Sequence, residues 1–346
     1  MNRKTTFLSL KCLFALLVVQ TVDAQQIYTN GGLSTGATAE NLTAAPTGYT
    51  WSEVQHETGN TTESNTNSGY GATYNNALST NNALADDFTV PVGSVWNTTS
   101  FEFYAYQTGA AATPIPFDQL RVQIYNGDPA AGGTVIAGNF TTNVLDVAAS
   151  SDALMYRIFN SVVPTAAAPG TTRKIWKLVG NLNATLPAGT YWVAFQAHCT
   201  NDAGAFFPSV TIAGTRGLPG WNAKQSTLTV PAYTIIFDAG NPATAPDVNQ
   251  DLPFNINGTV TLGVKQNDFA STILVYPNPV KNVVSLSSTS DALISGVEIV
   301  DVNGRTVKSV AGEASTQINV SDLSSGVYFM NIRSDKGTAT KKIVKE

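Results

Sequence analysis

The sequence predicts an all-β protein, a jelly-roll-like antiparallel β-sandwich followed by a small immunoglobulin-like β-sandwich. Three observations predict it. Short segments of alternating apolar and polar residues recur from residue 85 to the C-terminus, Gly, Pro and Asn turn signals separate them, and no run between residues 85 and 346 has a helical period. The 346 residues suffice for one large domain and one small one.

The elements follow in order. Residues 1–24 read as a secretory signal peptide. Arg3, Lys4 and Lys11 make a positive start, Cys12 to Val19 is an apolar stretch, and Val22-Asp23-Ala24 presents the residues a signal peptidase reads, with cleavage between Ala24 and Gln25. Eight apolar residues cannot cross a hydrocarbon core of roughly 30 Å as a helix. Cleavage leaves Cys199 as the single cysteine, so neither an internal disulfide nor a lipid-bearing cysteine at the cleavage site is expected. No later segment approaches a membrane span, and no transmembrane segment is expected in the mature chain.

Residues 25–84 read as a polar lead-in packing on the body. HETGNTTESNTNSGYGATYNNALSTNN has few core formers and reads as a long polar loop, with Trp51 in GYTWSEV as an early strand or anchor. The jelly-roll-like body spans residues 85–267. In SFEFYAYQ, Phe101, Phe103 and Ala105 alternate with Glu102, Tyr104 and Tyr106. In QLRVQIYNGDP, Leu120, Val122 and Ile124 alternate with Arg121, Gln123 and Tyr125. A linker is expected at 268–275 and the second unit at 276–346. There, EIVDVNGRTVKSV turns at Asn303-Gly304, and the last hairpin turns at Asp335-Lys336-Gly337.

Charge marks the same boundary. Residues 25–272 hold 8 basic and 16 acidic side chains (net −8), while residues 273–346 hold 8 and 7 (net +1). An acidic body argues against nucleic acid or an anionic membrane as the main partner, since both require basic surface.

The C-terminal unit carries a resemblance. Tyr276-Pro277-Asn278-Pro279, the strand pair around Asp301-Val302-Asn303-Gly304, Leu323-Ser324-Ser325-Gly326-Val327-Tyr328 and the closing Lys341-Lys342-Ile343-Val344-Lys345 look like the C-terminal sorting domain of type IX secretion substrates. The resemblance implies a Bacteroidetes source, reading of the domain by the outer-membrane translocon after passage through the periplasm, and removal by a sortase-like protease. The cargo would then be released or joined to an anionic lipopolysaccharide. On physical grounds alone, Pro277 and Pro279 fix φ and remove two donors, giving a stiff extended lead-in, and Gly326 permits a tight turn before a strand. The body, through ADDFTVP, FYAYQTG, TRKIWKL, LPAGTYWVAFQ and LPGWNAKQ, is similar to secreted bacterial β-sandwich proteins of uncharacterised activity.

Catalytic patterns are thin. The chain has two histidines, His56 and His198. His198 and Cys199 are neighbours in a strand and point to opposite faces, which argues against a nucleophile pair; His198 shares its face with Trp192, Ala194 and Gln196. Paired-carboxylate chemistry would rest on Glu102 or on Asp118, Asp128, Asp202 and Asp238, which fall at predicted turns. Calcium is the one cofactor the patterns point to, in Asp247-Val248-Asn249-Gln250-Asp251, whose oxygen side chains alternate, or at Asp86-Asp87. Leu252 stands where a calcium loop has glycine, and an Asx-stabilised turn is the alternative. Trp221, Trp192, Tyr104 and Tyr125 are candidates for an aromatic platform on which sugar rings stack. The leading expectation is a secreted or cell-surface, non-catalytic adhesion module that contacts glycan or matrix. A polysaccharide-active hydrolase and a passive surface-layer spacer are the alternatives.

Overall fold

The computed structural model describes residues 25–75, 79–262, 268–311 and 316–346. The predicted signal peptide, Ala24 included, lies outside the described residues. The chain divides into two compact units, residues 1–262 and 263–346.

The main strands of the first unit are β1 (Gln25–Thr29), β2 (Thr50–Glu53), β3 (Ala83–Val90), β4 (Ser94–Tyr106), β5 (Phe117–Asn126) and β6 (Thr134–Asn139). They continue with β7 (Leu145–Ile158), β8 (Lys174–Leu186), β9 (Gly189–Cys199), β10 (Lys224–Ser226), β11 (Thr234–Ile235) and β12 (Phe254–Leu262). One sheet runs β1-β12-β4-β8-β7-β2, and the other runs β11-β10-β3-β9-β5-β6. All these pairings are antiparallel except that of β2 with β7.

The alternation read from the sequence is the alternation of the sandwich. Phe101, Phe103 and Ala105 of β4 face Leu120, Val122 and Ile124 of β5 and Val193 and Phe195 of β9 across a single core, and all are buried. Phe103 and Phe195 meet with ring centroids 4.2 Å apart. Burying each such ring contributes about 1.5–3 kcal/mol. At Gly258 the β12–β4 register shifts, and a Cβ there would stand 2.2 Å from the Asn97 carbonyl oxygen. Only glycine lets the bulged strand approach so closely.

The polar lead-in is built into the body. β1 forms an edge by pairing with β12, and β2 places Trp51 and Val54 in buried positions. Beyond β2, its polar stretch is tied down by buried ionic groups as well as by Tyr70 and Ala72 in the core. Asp238, itself buried, accepts from the backbone N–H of Thr66 and Asn67. Arg157 donates to the Ser68 carbonyl (2.9 Å), Ser52 Oγ (3.0 Å) and Thr211 Oγ1 (2.8 Å).

The second unit holds α1 (Asp268–Thr272), β13 (Ile273–Tyr276), β14 (Val283–Ser288), β15 (Ile294–Asp301), β16 (Thr306–Ala311), β17 (Gln317–Asn319), β18 (Gly326–Ser334) and β19 (Gly337–Lys345). Its sheets run β13-β14-β17 and β16-β15-β18-β19 around Val284, Leu286, Ile299, Met330, Ile332 and Ile343. Residues 268–275 are not a linker. They form a helical turn and a strand, with Phe269 and Ile273 in the unit's own core, because an apolar pair in a short segment is enough to dock it. Both expected hairpins are present, with Gly304 at φ +79° and the last turn at 335–336.

Candidate functional site

The residues proposed from sequence scatter over the body. Trp192 and Tyr125 are cross-strand partners on the outward face of the second sheet, opposite the core. Trp192 is buried, and the Lys224 ammonium sits 4.2 Å over its ring, held there by an ion pair to Asp128. That cation occupies the ring face a sugar would need. Tyr104 lies on the other sheet, where its hydroxyl accepts from Asn255 Nδ2 (3.1 Å) beside Glu102, itself paired with Lys177 at 3.2 Å. Trp221 is also buried. These four aromatics therefore form no common platform. The LPGW turn folds the indole inward because that buries its apolar area.

The carboxylates regroup differently from their order in the chain. Asp247 and Asn249 are exposed, and Asn249 pairs with Phe237 in a short ladder. Asp251 turns away from them, accepts from the Asn222 N–H at 2.8 Å, and lies within electrostatic reach of buried Asp86. Asp86 accepts from Leu252 N–H (2.7 Å), Asn30 Nδ2 (2.9 Å) and Asp87 N–H (2.9 Å). Burial, then the Asp251 charge, raises the Asp86 carboxyl well above the ordinary range. Burial, then the Asp87 charge, pushes Asp251 up to about 6. Among the described residues, no group of three or more His, Cys, Asp or Glu side chains is placed to hold a metal ion.

His198 and Cys199 do point to opposite faces. The thiol is buried in the core, and burial pushes it up to about 12, which leaves no thiolate for attack. His198 faces outward between Asp118 (2.6 Å) and Asp202 (2.9 Å). Partial desolvation opposes its charge, but the two carboxylates outweigh that and raise the imidazole pKa. His56 is a structural group, its Nδ1 lying 2.5 Å from the Asn60 carbonyl.

One pocket of the body lies where three loops meet. Residues 64–66, 159–167 and Asn241 enclose a cavity of about 270 Å³. The loops are cross-tied. Ser64 and Asn241 exchange backbone hydrogen bonds at 2.9 and 2.7 Å, and Asn241 Nδ2 donates to the Pro164 carbonyl at 2.9 Å. Buried Glu53 anchors the start of the middle loop by accepting from Ser161 N–H (2.7 Å) and Ser161 Oγ, while its other oxygen accepts from Glu40 N–H (2.9 Å). Asp238 and Arg157 hold the wall at 66–68 as described. The Arg157 guanidinium has no carboxylate within 4 Å among the described residues, and desolvation lowers its pKa to about 10. A buried polar network satisfied in this way fixes loop geometry. Ser64, Asn65, Thr66, Asn160, Thr165 and Asn241 supply the polar lining, and Phe159 supplies an aromatic edge 36% exposed. Among the described residues, no ionisable side chain lines this cavity.

Sequence reading missed this site because its parts are 74 to 177 residues apart in the chain. One local signal was available. Phe-Asn-Ser followed by Val-Val-Pro is an Asx-turn sequence that exposes an aromatic beside an amide.

In the C-terminal unit the motif residues do come together. Asn278 Oδ1 accepts from Val344 N–H (2.8 Å) and its Nδ2 donates to the Lys342 carbonyl (2.9 Å), clamping Tyr276-Pro277-Asn278-Pro279 along the last strand. Lys342 is exposed and Lys341 half-buried on β19. Tyr328 closes the 321–325 turn through its hydroxyl and the Ser324 carbonyl (2.9 Å). Gly326 opens β18 opposite Lys345 at a φ outside the left-handed region, so the turn itself is made by the residues before it.

Residues 274–346 match the family model of the secretion system C-terminal sorting domain. This unit is a type IX secretion sorting domain, and it implies interaction with that machinery and export to the extracellular space or cell surface. Compared with curated proteins, the chain matches none. The body lies outside the matched segment. Among the described residues, no helix is long and apolar enough to cross a membrane.

Proposed function

We propose that the protein is a non-catalytic cargo of type IX secretion whose body binds glycan at the three-loop pocket. The observation that carries this reading is the composition of the cavity. Hydroxyl and amide groups line it beside one aromatic edge, with no ionisable group to act as acid or base. Saccharides present many hydroxyls and weakly apolar ring faces, and such a lining meets both. After export, a sortase-like protease would release the body or join it to anionic lipopolysaccharide.

The test is a glycan array probed with the full secreted chain, once in calcium and once in chelator. Specific retention, lost on Phe159→Ala with an unchanged melting curve, is the expected result. Loss in chelator would add an ordering calcium at the Asp251 or Asp86–Asp87 region. Turnover of a retained glycan would replace the binding module with a polysaccharide-active hydrolase. Silence from a folded sample would favour the surface-layer spacer.

A further inference from the structure

The three-loop pocket has a neighbour. A second cavity of about 160 Å³ shares Phe159 and Ala167 with it and is lined by Arg157, Thr172 and Arg173. One cavity is neutral and the other basic, with the same aromatic side chain between them. Arg173 stands over the Phe159 ring, its Cζ 4.7 Å from the centroid, and beside the Tyr106 hydroxyl. Among the described residues it has no carboxylate within 4 Å; Lys174, Lys177 and Lys224 are each paired with one, and Arg121, Arg157 and Arg216, also without one, donate to carbonyl or amide oxygens instead. In a body of 8 basic and 16 acidic side chains, a half-buried guanidinium without a carboxylate partner next to a pocket is where a ligand anion would be held.

Asn160 supplies the second independent observation. It is 3% exposed and lines the neutral cavity. Its Oδ1 accepts from the N–H groups of Val162 and Val163, both at 2.8 Å, which settles the orientation of the amide. Its Nδ2 has no hydrogen-bond partner. A buried donor without an acceptor is costly, and a ligand oxygen placed there would relieve the cost. The neutral cavity is smaller than a drug-sized pocket of roughly 300–1,000 Å³ and has room for one sugar ring.

We infer that the body recognises the terminal residue of an acidic saccharide. The ring sits in the neutral cavity against Phe159, with a ring oxygen or hydroxyl on Asn160 Nδ2 and the carboxylate on Arg173. This rests on the glycan reading above and sharpens it in two respects: a chain end rather than a chain interior, and a uronate rather than a neutral sugar.

The experiment is calorimetric titration of the full secreted chain with a galacturonic acid disaccharide and with its neutral galactose counterpart, at low and high salt. The acidic disaccharide is expected to bind at least about tenfold more tightly, with the preference shrinking as salt rises. Asn160→Asp keeps the Oδ1 turn contacts and removes the donor; in a protein that still unfolds cooperatively it is expected to weaken the neutral sugar about tenfold or more, and the acidic sugar further because a carboxylate replaces the amide. Arg173→Gln is expected to abolish only the preference for the acid. Equal binding of both sugars, still sensitive to Asn160→Asp, would overturn the acidic assignment and leave the glycan reading standing. Binding of neither sugar, together with an empty glycan array, would overturn both.

Discussion

The body and the C-terminal unit are both two-sheet β structures, but they bury different things. The C-terminal unit buries an almost wholly apolar set, with Lys345 as its one buried polar or charged side chain among the described residues. The body buries Glu53, Asp86, Arg157, Arg216, Asp238 and Gln196, and every buried polar atom left without a partner among the described residues is in the body. An apolar core is sufficient for a unit whose motif is displayed along one strand edge. Holding three distant loops around a cavity requires buried charges that reach backbone groups, and burying them costs stability. The sorting unit is thus held by apolar packing alone, whereas the body also uses buried charge to fix loop geometry.

The comparison can be broken most directly by separating the two regions. Deleting residues 274–346 is expected to abolish surface delivery and retain the protein in the periplasm, as measured by cell fractionation and immunoblotting. Normal surface appearance would mean that the sorting unit is not what directs export. The next effect in size concerns the cores. Phe195→Ala should destabilise the body by about 3–5 kcal/mol, and Ile332→Ala should destabilise the sorting unit by about 2–5 kcal/mol, both read from denaturant unfolding. Losses well below 1 kcal/mol would show that these side chains are not packed as described.

Smaller effects sharpen the contrast in buried charge. Asp86 and Asp251 have carboxyls raised above the ordinary value of 3.8, with Asp251 at about 6. The folded body therefore binds more protons than the unfolded chain between those values, and its stability falls as pH rises through that window. His198 adds in the same direction. Its raised pKa gives stability that is present at acid pH and lost as pH rises through its folded value. The body is expected to melt higher at pH 5 than at pH 7.5. Asp251→Asn, which can keep accepting from Asn222, should stabilise it at pH 7.5 by on the order of 1 kcal/mol after solvent screening, or about 3 °C, and flatten the pH profile. A lower Tm at pH 7.5 would contradict the repulsion. Smallest is Asn278→Ala, which removes two exposed hydrogen bonds to the last strand and should cost the sorting unit about 1 kcal/mol. A change in export without any change in melting would show instead that Asn278 is read directly.

Much of the fold was legible because strand alternation is local. The inward sets Phe101-Phe103-Ala105 and Leu120-Val122-Ile124, and the opposed faces of His198 and Cys199, follow from a period of two whatever the tertiary partners are. The sorting motif was legible for a similar reason, since Tyr276 to Pro279 and the closing lysines lie within one small unit. The polar lead-in was misleading. Its Asn, Ser and Thr residues resemble a loose loop until Asp238 and Arg157, about 170 and 90 residues away, supply the backbone partners. The aromatic platform failed because exposure depends on what covers a face, and Lys224 covers Trp192.

The all-β class, the two-unit division and the export route written in the last 74 residues are set by local signals. All three rest on short-range periodicity, turn chemistry and motif spacing. Which distant residues meet is set instead by tertiary contacts. Phe159, Asn160, Ser64 and Asn241 become one pocket, and Asp86 and Asp251 become electrostatic neighbours, through loop meetings and sheet pairings between residues far apart in the chain. The cost of closing those long loops is met by the packed core as a whole, so no local pattern records the meeting.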